Sequence, residues 1–427
     1  MASVSRAALW VLVCALQAAA AQAPAAAPLA AVSFAGSRRF SAEQLQTASG
    51  LAPGRRVTRD DLQAAADRLA ATGLFTSVRY RFATGPEGVR VEFQLEDAPT
   101  VPVVFDNFPW FTDDELRQAL QQRLGLFDGT APEAGSYVEA IGAELEKLLA
   151  ERGVQARVEH RLLARPEGNG LEQLFRVIGP VSPVVRVEFS DPLAGNDPHI
   201  AERLGDLMGK PFSRYATEVF LIEQVRPVYL SHGYLRVELG TPEARLEGNP
   251  NRPQPGLVVR VPVTPGPVYH WCGASWSGNS VLRAEELDRL LGLREGQVAD
   301  GVALAGGWER IRQRYGASGY LDVQLELQPA YDDAHACVRY QVTVTEGRQY
   351  RMGRLVISGL SPEAEKRVRQ AWLLHPGQVF DLDYYRAFLD EIARRALADL
   401  PVHFESIGHL LDRHPAQGTV DVLLDFD

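Results

Sequence analysis

Residues 31–98 read AVSFAGSRRFSAEQLQTASGLAPGRRVTRDDLQAAADRLAATGLFTSVRYRFATGPEGVRVEFQLEDA and hold one complete order of elements. Ala31-Val32-Ser33-Phe34 is strand-like and runs into Gly36. Ser41 precedes Ala42-Glu43-Gln44-Leu45 as a helix N-cap, since its hydroxyl can accept from the unpaired N–H groups of a first turn. Gly50 and Pro53-Gly54 end that helix. Thr58, with Asp61 three residues on, opens a second helix that places Leu62, Ala65, Ala66 and Leu69 on one face, and Gly73 stops it. Two β-rich runs, Ser77–Ala83 and Gly88–Leu95, follow, joined by Thr84-Gly85-Pro86-Glu87-Gly88. The order is β-α-α-β-β.

The same order recurs along the chain at a spacing of about 70–85 residues, the mark of a repeat protein. A second unit starts near Val101, with helices after Thr112 and over 135–151. A third starts near Val184, stops its helices at Ser231-His232-Gly233-Tyr234, and is expected to place strands at Leu235–Leu239 and Leu257–Val263. A fourth starts near Val268 and repeats the stop as Ser318-Gly319-Tyr320-Leu321. A fifth runs from near Tyr350 to the C-terminus. The expected division is 31–98, 101–180 (the most divergent), 183–266, 267–348 and 349–427. Each unit has a small core, so packing against neighbours should add to its stability.

The 427 residues are 46% apolar and 23% charged, a globular composition. With 54 acidic against 44 basic residues the net charge is −10, which argues against nucleic acid as a partner. Arg6, the apolar run Ala7–Ala21 and the alanine-rich text after it form a secretory signal peptide, expected over residues 1–23. The run is too short for a confident membrane span, and no later stretch reaches the length of one. The exported chain then keeps two cysteines, Cys272 and Cys337, in a compartment that permits a disulfide; two unpaired thiols are the alternative.

These repeats resemble polypeptide-transport-associated (POTRA) domains. The resemblance rests on Arg38-Arg39-Phe40-Ser41 after Gly36, on Ser277-Gly278-Asn279 after a strand, on helices ending in Gly233-Tyr234-Leu235 or Gly319-Tyr320-Leu321, and on the closing Glu346-Gly347. It covers nearly all of the chain from residue 31. The third unit departs from it with an extra loop, Asp191–Pro198, where Gly-Asn would stand. It implies an α+β fold of tandem modules, each a three-stranded mixed sheet covered by two helices, in an extended array. Five in a row are similar to the periplasmic arm of BamA-like outer-membrane assembly proteins, whose arm precedes a transmembrane β-barrel. No train of alternating strands for a barrel is present here, so the expectation is either a free-standing periplasmic protein or one whose barrel partner is another chain. The resemblance also implies that the starts of strands near Cys272 and Cys337 lie side by side, which makes a bridge between them feasible.

Candidate chemistry is sparse. Gly36, Gly278 and Gly359 read as turns needing positive φ rather than as a phosphate loop, because no Gly-rich stretch leads into a helix with Lys or Ser/Thr in place. His403, His409 and His414, near Asp412, fit no metal-ligand spacing. Nucleophile, zinc-protease and paired-cysteine motifs do not occur, so neither an enzyme nor a cofactor is expected. What remains is backbone. A strand after the helices can lie at a sheet edge and accept an extended segment of another chain. The candidate edges carry Val78 and Tyr80, Leu235 and Val237, and Leu321, Val323 and Leu325; further candidates are 154–164 and 402–411. The expected function is a non-enzymatic periplasmic scaffold, at most peripheral to the outer membrane. It would bind outer-membrane protein clients or assembly partners. The alternative is a structural or division-type POTRA protein held by an uncleaved N-terminal anchor.

Overall fold

The computed structural model describes residues 26–165, 168–179, 182–248, 256–400 and 406–426. The expected signal peptide, His403 and part of the 402–411 edge lie outside them. The described residues form two compact units. The first runs to Ser182 and takes in Pro211–Arg214; the second comprises Pro183–Lys210, Tyr215–Glu247 and the residues from Gly256 on.

The first unit holds two modules. The first module runs β1 (Ala27–Ala35), α1 (Ala42–Ser49), β2 (Arg56–Val57), α2 (Arg59–Ala71), β3 (Phe75–Gly85) and β4 (Gly88–Asp97). Both helices begin with capping boxes, Ser41 with Gln44 and Thr58 with Asp61. The sheet order is β2-β1-β4-β3, with β1 and β4 parallel and β3 and β4 antiparallel. The second module repeats it with β5 (Val101–Asp106), α3 (Asp113–Arg123), β6 (Thr130–Ala131), α4 (Ser136–Glu151), β7 (Arg157–Ala164) and β8 (Leu171–Ile178), in the order β6-β5-β8-β7. One apolar cluster runs through both, from Leu29, Leu62 and Phe93 to Phe105, Leu145 and Phe175. Arg39 reaches across to Asp128 at 2.6 Å and to Thr130 at 2.8 Å.

The second unit continues the theme. The third module has β9 (Val184–Phe189), two short helices α5 (Pro192–Asn196) and α6 (Pro198–Arg203), then α7 (Arg214–Phe220) joined to α8 (Arg226–Ser231) by a π-helical turn. The expected loop at 191–198 is therefore helical over Pro192–Asn196, because Asp191 caps it by accepting from Leu193 N at 3.0 Å. A short ribbon pairs β10 (Glu238–Leu239) with β13 (Val263–Thr264), while β11 (Glu243–Glu247), β12 (Gly256–Val261) and β9 form the sheet β11-β12-β9. The fourth module has β14 (His270–Ser277), α9 (Ala284–Leu291), α10 (Gly301–Ala317), β15 (Gln324–Asp332) and β16 (Cys337–Thr345), ordered β14-β16-β15. The fifth has β17 (Arg351–Ser358), α11 (Pro362–Ala371), α12 (Leu382–Ala387), α13 (Ala393–Leu397), β18 (Ile407–His414) and β19 (Thr419–Phe426), ordered β17-β19-β18. Among the described residues no helix is long and apolar enough to cross a membrane.

Gly36, Gly278 and Gly359 end the first strands of three modules with φ of +96°, +76° and +82°. At each, an added Cβ would sit 2.1–2.2 Å from a carbonyl oxygen of the last strand, that of Leu95, Val344 or Phe426. Both the backbone angle and the close approach require glycine there.

Candidate strand-augmentation edges

In each of the five main sheets the last strand is central and the strand before it lies at an edge. Those edges are β3, β7, β11, β15 and β18, and they differ in what they offer.

The β3–β4 hairpin closes on the pair Gly85↔Gly88 across a two-residue loop. A tight hairpin closes on a hydrogen-bonded pair, and such pairs then alternate along an antiparallel ladder. Ser77, Arg79, Arg81 and Ala83 thus bond back to β4, while Val78, Tyr80 and Phe82 turn their N–H and C=O groups outward. Side chains alternate with the same period. Val78 and Tyr80 pack on the core of the module, and Tyr80 donates to Gln63 Oε1 at 3.2 Å. Phe82 is 45% exposed at the far end. Arg79 and Arg81 stand on the opposite, solvent face, where Arg81 pairs with Glu92 at 2.7 Å. At 11 residues β3 is the longest of the five edges, and it contains no proline.

The third and fourth modules do not follow the expected assignment. Leu235 and Val237 precede the two-residue strand β10, and Leu321 and Val323 precede β15; none of the four lies in an edge strand. Packing is the reason. Leu235 sits against the core of the fourth module and Leu321 against that of the fifth, Val237 is buried, and Val323 packs on its own module. The true edge of the third module is the five-residue β11. Leu325 does lie in β15, but that edge is interrupted by Pro329. The β15–β16 hairpin closes on Asp332↔Cys337, so Pro329 shares the outward phase of Leu325 and Leu327 and removes one outward donor.

The stop segments serve the joints between modules. Tyr269, just before β14, donates its N–H to Gly233 O at 2.9 Å; Tyr350, just before β17, donates to Gly319 O at 2.8 Å. The hydroxyl of Tyr269 donates to Asp333 Oδ1 at 2.5 Å and accepts from Arg236 at 3.2 Å. The hydroxyl of Tyr350 donates to Asp322 Oδ2 at 2.6 Å, and Arg413 pairs with the other oxygen of Asp322 at 2.6 Å. Burial and these carboxylates push both tyrosine hydroxyls above their ordinary range. The helix α10 lies between the two joints: a Cβ on Gly301 would come 2.9 Å from Leu235, and one on Gly316 would come 2.7 Å from Leu382. Arg236 and Asp322 escape a reading for active-site motifs. The signal is there in the aligned strings Gly233-Tyr234-Leu235-Arg236-Val237 and Gly319-Tyr320-Leu321-Asp322-Val323, which differ only at the fourth place.

Cys272 and Cys337 are joined by a disulfide, with Cα atoms 6.0 Å apart at the paired starts of β14 and β16. The carboxylate of Glu346 holds the turn after β14. It accepts from Ser280 N at 2.7 Å, Val281 N at 2.8 Å and Tyr315 Oη at 2.9 Å. Burial alone would push its carboxyl up, but bonds from Ser280, Val281 and Tyr315 outweigh this and hold it below the usual range. Of the histidines in the fifth module, His409 bonds Tyr385 and His414 faces Asp412 and Asp421. Among the described residues no group of three or more potential ligands is gathered for a metal ion.

The profile of the family "POTRA: Surface antigen variable number repeat" matches residues 27–106 and 273–347. A provisionally named outer membrane protein assembly factor of Treponema pallidum (strain Nichols) is 21% identical over 414 residues, covering 94% of this chain and 47% of its own length. The chain thus spans about half of that curated relative. Among solved structures, POTRA domains 3–5 of BamA from Haemophilus influenzae align at 21% identity with a TM-score of 0.43, covering 58% of this chain and 97% of theirs. POTRA domains 1–3 of Omp85 from Anabaena align at 13% identity with a TM-score of 0.19, covering 94% and 96%. Two segments of the chain match the POTRA profile, and the repeated β-α-α-β-β order around them gives a fold of tandem POTRA-like modules.

Proposed function

We propose that the chain is a non-enzymatic scaffold of outer-membrane protein assembly, working in the periplasm or at the outer membrane, that takes up extended segments of client or partner polypeptides by strand addition. The division into five modules at 31–98, 101–180, 183–266, 267–348 and 349–427 is part of this reading. The name of the Treponema relative supports the assembly role. The observation that carries the binding mode is the edge of β3, 11 residues without proline, where Val78, Tyr80 and Phe82 point their backbone groups away from the sheet. Backbone pairing demands little of the incoming sequence, which suits a protein that handles many chains. The tyrosine and valine side chains stay on their own core, so they need not move when a strand arrives.

The test uses a synthetic peptide of about 12 residues with the alternating pattern of an outer-membrane strand, long enough to match an edge of this length. Val78→Pro removes one outward donor and leaves the ladder to β4 intact. It should lose most peptide binding while keeping the circular dichroism and melting of the parent. Arg79→Ala should bind nearly as well as the parent. Equal binding by Val78→Pro and parent, or loss in Arg79→Ala alone, would reject strand addition at β3.

A further inference from the structure

The joint between the third and fourth modules differs from the next joint in the turn that flanks it. Asp333, which holds Tyr269 and Arg236, sits in the turn between β15 and β16. That turn ends at Ala336, whose carbonyl accepts from His270 N at 2.8 Å, and Ala336 has φ +50°. The equivalent residue in the fifth module is Gly418, whose carbonyl accepts from Arg351 N at 2.9 Å with φ +67°. Glycine takes this left-handed conformation freely and alanine does not. The residue after Ala336 is Cys337, bonded to Cys272, three residues from Tyr269. The fifth module has Thr419 at that position and no cysteine. A strained turn is thus clamped where its relaxed counterpart is left unclamped.

We propose that the Cys272–Cys337 disulfide is a redox-sensitive latch on the joint between the third and fourth modules. A dithiol reductant opens it: the S–S bond breaks, the dithiol supplies two electrons and two protons and becomes a disulfide, and the chain gains two thiols. Ala336 is then free to leave the left-handed region, and the turn carries Asp333 away from Arg236 and Tyr269. The joint at Tyr350 is unaffected because its turn is built on glycine and its acid, Asp322, lies on the other side of the contact. Cys272 and Cys337 are both half-buried, so a small dithiol can reach them.

The experiment is hydrogen–deuterium exchange of the full chain, oxidised and dithiol-reduced, read on peptides covering residues 266–271 and 347–352. Thiol labelling of the oxidised protein comes first, and reactive Cys272 or Cys337 there would overturn the proposal. On reduction the Tyr269 amide should exchange about tenfold faster or more, as local opening becomes easier, while the Tyr350 amide should change by less than about twofold. Unchanged exchange at Tyr269, or equal acceleration at both sites, would overturn it. Ala336→Gly removes the strain, so its reduced form should keep Tyr269 protected; loss of protection as large as in the parent would also count against the latch.

Discussion

Arg236 and Asp322 occupy the same place in successive modules, three residues after Gly233 and Gly319, and carry opposite charges. Each meets the tyrosine that opens the next module, and each is balanced by a residue of opposite sign, Asp333 for Arg236 and Arg413 for Asp322. The two joints have the same geometry with their polarity reversed.

Reversing one charge should therefore be repaired by reversing its partner. Arg236→Asp should destabilise the second unit by about 1 kcal/mol, and adding Asp333→Arg should recover most of it. The effect is small because the two side chains are 51% and 64% exposed. A double-mutant cycle from urea unfolding measures the coupling; a value of zero would show that the pair is incidental.

The glycines ending the first strands should be intolerant. Gly36→Ala, Gly278→Ala or Gly359→Ala must move a last-strand carbonyl as well as adopt positive φ, and each should cost about 2 kcal/mol or more. Gly54, with φ +84° and open space around it, is the control and should cost about 1 kcal/mol. Denaturant midpoints of the four variants give the comparison.

The carboxyl of Glu346 gives a pH signature. Its folded-state value is depressed, so its contribution to stability is present above the ordinary carboxylate range and is lost as pH falls through the depressed value. Glu346→Gln should melt below the parent at neutral pH, and the gap should narrow as the solution is acidified below about pH 4. Thermal melts across pH test this; a gap that stays constant into acid would contradict it.

Pro329 should act as a guard. Pro329→Val restores the missing outward donor in β15 and leaves a nine-residue edge without proline. The variant should bind the strand peptide more tightly than the parent, or self-associate, as read by sedimentation. Unchanged behaviour would mean the edge is protected by other means.

The repeat was legible because its signals are local. Ser41 and Thr58 accept from the N–H groups of Gln44 and Asp61, and glycines stop helices where a left-handed residue is needed. The edges of the third and fourth modules were not, because the alternation Leu235-x-Val237 and Leu321-x-Val323 looks like a strand. Leu235 and Leu321 are apolar for the sake of the next module's core, a non-local demand that periodicity cannot report. The role of Pro329 needed the pairing register, which fixes the direction its absent donor faces.

The shared interior of the first two modules has a consequence for how they fold. With Leu29 and Phe175 in a single apolar cluster, the two modules share buried packing across their boundary. They should melt as one cooperative block. A cut at Pro99-Thr100, the obvious boundary between repeats, would leave two fragments with raw apolar faces. The smallest piece of this end able to stand alone is then the pair.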